Sequence, residues 1–119
     1  MTTDDRTRPP MVKLISTEDH EDIPDGMELS LYEMRRDGQP VAPVELSRWS
    51  LDPGADSGDD VHAVRELWLI AAGRGEMTCG GKRMEVAAGD VVSIEPHQPH
   101  RLVNTGPGLV EVFSVWWSD

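Results

Sequence analysis

The chain has 119 residues, with 11 lysines and arginines against 22 aspartates and glutamates, for a formal net charge of -11. That length supports one hydrophobic core and not two, and 38% hydrophobic against 28% charged residues fits a folded domain rather than a disordered chain. The acidic balance leaves no basic face to displace counterions from nucleic acid or to dock on anionic lipid, so neither nucleic acid nor a membrane is expected as a partner.

In chain order, residues 1–10 (MTTDDRTRPP) predict a disordered arm, and 11–119 a single domain. No apolar signal segment follows the polar start, and the longest apolar run, 67–72, is too short for a bilayer. With one cysteine, Cys79, there is no disulfide framework and no cysteine-only zinc site. A reducing, cytoplasmic location is therefore expected.

Proline and glycine punctuate the chain from Pro24 to Gly108, which leaves long helices almost no room. Short strands are predicted over 11–15, 27–34, 44–51, 62–72, 76–79, 82–86, 91–94, 100–104 and 109–117. Hairpin turns fall at Arg36-Asp37-Gly38 and at Cys79-Gly80-Gly81-Lys82. Segment 61–72 also suits a helix capped by Gly73. From Leu67 onward, however, such a helix has no polar face, and a strand buried on both faces explains the run more simply. Many short strands between turns predict an all-β sandwich or barrel.

Alternation along a strand puts Asp60, His62 and Glu66 on one face together with Trp68, and His100 with Asn104 on another. Two imidazoles and one or two carboxylates make a metal-ligand set. The competing reading is four unrelated surface residues.

The spacing of these residues resembles that of the cupin superfamily. The first cupin motif, G-x5-H-x-H-x3-E-x6-G, is matched by Gly54, Asp60, His62, Glu66 and Gly73, with Asp60 at the first histidine position. The second, G-x5-P-x-G-x2-H-x3-N, is matched by Gly89, Glu95, His97, His100 and Asn104, with Glu95 for the proline and His97 for the glycine. The resemblance spans 44–117. It implies a double-stranded β-helix, a jelly-roll barrel, with one divalent metal ion in its mouth. It also implies His62, Glu66 and His100 as ligands, with Asp60 as a ligand, a water-bridged group or a hydrogen-bond partner of a ligand. Zinc is the first expectation; iron, manganese and nickel suit the same set. Two carboxylates would neutralise a divalent cation and so weaken it as a Lewis acid.

Around this centre, Glu95 and His97 are candidate catalytic acids or bases. Trp68 and Asn104 are candidates for the substrate pocket, as is Arg48, which would clamp a carboxylate if it points inward. Arg48 and Trp49 lie on opposite faces of one strand, so only one of them enters the barrel. Trp116 and Trp117 end the last strand on opposite faces, and an exposed tryptophan there suggests an interface. The resemblance implies a homodimer, as cupins are commonly dimeric, with 11–15 as a candidate edge strand against the partner's sheet. Cys79, beside a Gly-Gly turn, has no expected reactive role, and His20 sits in a solvated acidic stretch, 18–22.

The function these features imply is a metal-dependent enzyme acting on a small organic molecule, in a biosynthetic pathway. His62-Ala63-Val64-Arg65-Glu66-Leu67-Trp68 and Phe113-Ser114-Val115-Trp116-Trp117 further resemble the zinc cupin module of hydrazine synthetases, which form N–N bonds. An Fe(II) dioxygenase and a polyketide cyclase are alternatives within the enzyme class. A small-molecule binder without turnover is the alternative outside it, favoured by Asp60 in place of histidine.

Overall fold

The computed structural model describes residues 13–18 and 22–118, and among them no segment is helical. The arm expected over 1–10, most of the acidic stretch around His20, and Met11 and Val12 lie outside the described residues. Eleven strands follow in order: β1 (Ser16–Glu18), β2 (Met27–Tyr32), β3 (Arg35–Arg36), β4 (Gln39–Pro40), β5 (Glu45–Leu51), β6 (Arg65–Ala72), β7 (Arg74–Cys79), β8 (Lys82–Ala87), β9 (Val91–Ile94), β10 (His100–Asn104) and β11 (Val110–Trp117). Residues 13–15 are not in a strand, so the predicted first strand begins later than expected. Both predicted hairpin turns form. Asp37 and Gly38 have φ of 54° and 78°, and Gly80 and Gly81 have φ of 56° and 83°, the left-handed pair that joins two twisted strands in two residues.

The strands make a six-stranded sheet in the order β1-β2-β5-β11-β6-β9, a three-stranded sheet β10-β7-β8, and the small hairpin β3-β4. The two larger sheets enclose the core, in which Leu51, Met77, Ile94, Leu102, Val110 and Val112 are fully buried. This is the all-β barrel expected from the turn spacing, in the jelly-roll form that the resemblance implies.

Segment 61–72 is a strand, but a shorter one than predicted and buried on one face only. Glu66, Trp68 and Ile70 point into the barrel, whereas Leu69 on the outer face is 38% exposed. Outward Leu69 lies between Phe113 of β11 and Val91 of β9. The continuous apolar run therefore reflects an apolar outer face as well as an apolar core. Gly73 ends the strand at φ +79°, where a Cβ would sit 2.3 Å from the Leu109 carbonyl oxygen; only glycine fits there.

The link between β5 and β6 positions the site. It runs alongside β10 as an irregular fourth strand of the smaller sheet. Gly54 donates to the Asn104 carbonyl at 3.0 Å, Ser57 to that of Leu102 at 2.9 Å, and Asp60 and His100 exchange two backbone bonds at 2.9 Å. Asp56 adds a bidentate pairing with Arg101, with Nε at 2.9 and 3.0 Å from its two oxygens. The Arg101 partner holds the Asp56 carboxyl below its ordinary value, against a smaller opposing effect of burial.

Candidate metal centre

His62 lies in this link, not on the strand, so its approach to Glu66 does not come from alternation. The bend at Ala63 and Val64 lets its ring turn back over the start of β6. Backbone contacts fix it from two directions. His97 N–H donates to the His62 carbonyl at 2.7 Å, and the His62 ring places Nδ1 3.1 Å from the Val64 carbonyl oxygen. His100 opens β10 and is 3% exposed, with its Nδ1 2.8 Å from the Gln98 carbonyl oxygen.

A carbonyl can only accept, so each ring carries its proton on Nδ1 and turns Nε2 toward the barrel. The two Nε2 atoms converge on one oxygen. Glu66 Oε1 is 2.8 Å from that of His62 and 3.4 Å from that of His100. The rings meet edge to face with centroids 4.8 Å apart. Asp60 Oδ2 is 3.9 Å from His100 Nε2, and ligand atoms of Asp60, His62 and His100 all lie within 4.8 Å of one another.

With both Nδ1 protons already donated, neutral rings would bring lone pairs against a carboxylate oxygen. Only a cation between them resolves that contact, either a further proton on a ring or a metal ion. The set of two imidazoles, a buried carboxylate and a rim carboxylate fits a divalent metal in number and chemistry. The carbonyls that fix the Nδ1 protons are the supports that ligand histidines require.

Glu66 is held as an anion. Burial pushes its carboxyl up, but hydrogen bonds from His100, Trp68, His62 and Ser114 outweigh that and leave it below the ordinary range. Trp68 Nε1 donates to Glu66 Oε2 at 3.0 Å, and Trp49 Nε1 donates to Ser114 Oγ at 2.8 Å. His100 is shifted the other way. Burial pushes its ring down, but the Glu66 carboxylate and the Gln98 carbonyl, with the charge of Asp60, raise it overall. Asp60 stands at the rim with its side chain 70% exposed, its Oδ1 accepting from Val61 N–H at 3.0 Å.

The four groups line a cavity of about 510 Å³ together with Met27, Leu29, Trp49, Trp68 and Trp116. Trp68 thus faces the lumen, while also orienting Glu66. The other expected site residues lie elsewhere. Arg48 points outward, 4.0 Å from Glu111, and it is Trp49 that enters the barrel. Asn104 is buried but spends its amide on the fold: Nδ2 donates to the Leu51 and Gly108 carbonyls at 2.9 and 2.8 Å, and Oδ1 accepts from Gly106 N–H at 2.9 Å.

Glu95 is exposed and paired with Arg65 at 3.0 Å, outside the cavity. His97 is exposed too, with a left-handed φ of 65° that explains why the cupin pattern has glycine at this position. Cys79 is buried, which pushes its thiol up and away from reactivity. Sequence reasoning overlooked Ser114 and Ser47, both buried inside the barrel on the inward parity of their strands. That parity, once Trp49 is placed inside, was the available signal. Trp116, weighed as an interface residue, lines the cavity instead.

Residues 47–116 match the Cupin_2 family model, a cupin domain. The chain belongs to the cupin family. A Cupin 2 conserved barrel domain protein of Salinispora arenicola is 30% identical, with a TM-score of 0.68 over 77% of this chain and 76% of that one. The fold is shared with the plu4264 protein of Photorhabdus luminescens (TM-score 0.71, 16% identity, 91% and 90% of the two chains). It is shared also with a predicted oxalate decarboxylase of Thermotoga maritima (TM-score 0.67, 23% identity, 87% and 99%). A curated relative, an uncharacterized protein of Methanocaldococcus jannaschii, is 42% identical over 45 residues, which make up 38% of this chain and 36% of that protein. The chain thus spans about a third of that relative's length.

Proposed function

We propose that this cupin is an enzyme that holds one divalent cation, zinc in the first instance, on His62, Glu66 and His100, and uses it on a small organic molecule admitted to the barrel. The observation that carries this reading is the convergence of two Nε2 atoms on Glu66 Oε1 with both Nδ1 protons committed to backbone carbonyls. When bound, such an ion acts as a Lewis acid toward an oxygen or nitrogen ligand.

The chain's own residues do the rest. Trp68 and Ser114 hold the Glu66 carboxylate in one orientation. Asp60, exposed at the rim, supplies a second carboxylate that lowers the net charge of the centre. Trp49, Trp68 and Trp116 line the cavity and exclude water from its walls.

Metal analysis of the purified protein tests the reading. We expect about one equivalent per chain, lost in both His100→Ala and Glu66→Ala. Metal retained by both variants overturns the assignment. Zinc at that level favours non-redox chemistry, while iron with oxygen uptake favours a dioxygenase. We infer a homodimer as well, because Leu69 and Val91 lie side by side and exposed on the outer face of the larger sheet. A monomeric mass by light scattering would remove it.

A further inference from the structure

The cavity holds a polar group that the metal centre does not use. Ser47 points inward from β5, is only 4% exposed, lines the cavity, and its hydroxyl makes no hydrogen bond among the described residues. Its cross-strand neighbour Ser114 is fully engaged, accepting from Trp49 and reaching Glu66. Buried hydroxyls are normally paired, and an unpaired one facing a cavity is set to meet a ligand.

Two further features limit that ligand. Around Ser47 the walls are apolar, formed by Leu29 and Leu31 of β2 with Trp49 and Trp116. Among the described lining residues the charged side chains other than histidine are Asp60 and Glu66, and none is lysine or arginine. A divalent cation on Glu66, with the Asp60 carboxylate at the rim beside it, has little surplus charge to offer a distant anion. A carboxylate or phosphate near Ser47 would therefore be desolvated without a partner.

Resting on the metal reading above, we propose that the substrate is uncharged at its far end and mostly apolar, and that it sets a hydroxyl or carbonyl on Ser47. Ser47 is thereby a specificity-determining residue. It lies two strands from Glu66, with β11 between. At about 4.8 Å per strand the two backbones stand roughly 10 Å apart, and the inward side chains shorten that gap, so a single substituted ring with a metal-binding group at one end spans it.

Three benzohydroxamic acids, para-substituted with methyl, hydroxymethyl or carboxylate, test this by calorimetric titration of the zinc-loaded protein. All three share one metal-binding group, so they differ only at the far end. The carboxylate is expected to bind at least about tenfold more weakly than the hydroxymethyl compound. Ser47→Ala is expected to weaken the hydroxymethyl compound by roughly three- to tenfold and to leave the methyl compound within about twofold. Because it removes an unpaired hydroxyl, Ser47→Ala should melt no lower than the parent, which separates selectivity from structure. A carboxylate that binds as tightly as the neutral compounds, or a Ser47→Ala variant that weakens methyl and hydroxymethyl equally, overturns the inference. Failure of zinc and of all three compounds to bind would instead remove the metal reading, and this inference with it.

Discussion

Glu66 faces two imidazoles with one oxygen and an indole with the other. The indole bond, together with Ser114, stops the carboxylate from rotating away when a cation approaches. Trp68→Phe keeps most of the packing and deletes this one donor. It should lower zinc affinity by about tenfold, the usual effect of removing a group that supports a ligand, and competition with a chromogenic chelator would measure it. His100 sets the pH dependence. Its ring pKa is raised overall, so the proton persists to higher pH than on an unperturbed imidazole. A metal must displace that proton, so on acidification zinc affinity should already be falling above pH 6.5, the ordinary imidazole value, and go on falling below it. Titrations across that value that gave a flat affinity would contradict His100 as a ligand.

Among the elements, the link between β5 and β6 matters most, because it carries Asp60 and His62 while having no regular strand of its own. It is fastened to β10 along its length, at Gly54, Ser57 and Asp60. Asn104 fastens the opposite end of β10 to Leu51 and to the turn at Gly106 and Gly108. Asn104→Ala leaves those buried groups unpaired and should cost about 2–3 kcal/mol of folding stability. Urea denaturation would show it. Metal content of the folded fraction should survive, since Asn104 is outside the cavity. The turn before His100 makes the opposite case. His97 holds a left-handed backbone that glycine adopts without strain. His97→Gly should leave stability unchanged or raise it by up to about 1 kcal/mol, with metal content intact. A large loss of metal there would instead bring His97 into the metal centre.

The whole molecule is a barrel whose larger sheet carries the substrate side of the cavity and whose smaller sheet carries His100. A cation shared by His100 and the β6 side ties the two sheets together, so binding is coupled to folding. Zinc at about 100 times its dissociation constant should stabilise the fold by about 2.7 kcal/mol. Scanning calorimetry should register this as a rise in Tm of roughly 10 °C. The effect should vanish in Glu66→Ala. No helix of the described residues is long and apolar enough to cross a membrane.

Much of this was legible before folding. Glycine and proline mark turns through their own backbone limits, so eight of the predicted strands overlap observed ones: 27–34, 44–51, 62–72, 76–79, 82–86, 91–94, 100–104 and 109–117. The histidine and carboxylate spacing pointed to one site because the motif records which positions meet in the barrel. Local alternation alone was insufficient. It placed His62 on a strand, whereas a bend in a loop, held by the His97 backbone, brings its ring to Glu66. The inward parity of β5 depends on pairing with β2 and β11, so the sequence left Arg48 and Trp49 undecided; the sheet put Trp49 inside and, with it, Ser47. Asn104 and Glu95 are polar residues of the second motif whose partners, Leu51 and Arg65, lie far away along the chain. Turn chemistry and ligand type are properties of single residues and short spacings. Which polar group is spent on the fold and which is left facing the cavity depends on contacts between distant strands, and only the assembled barrel decides it.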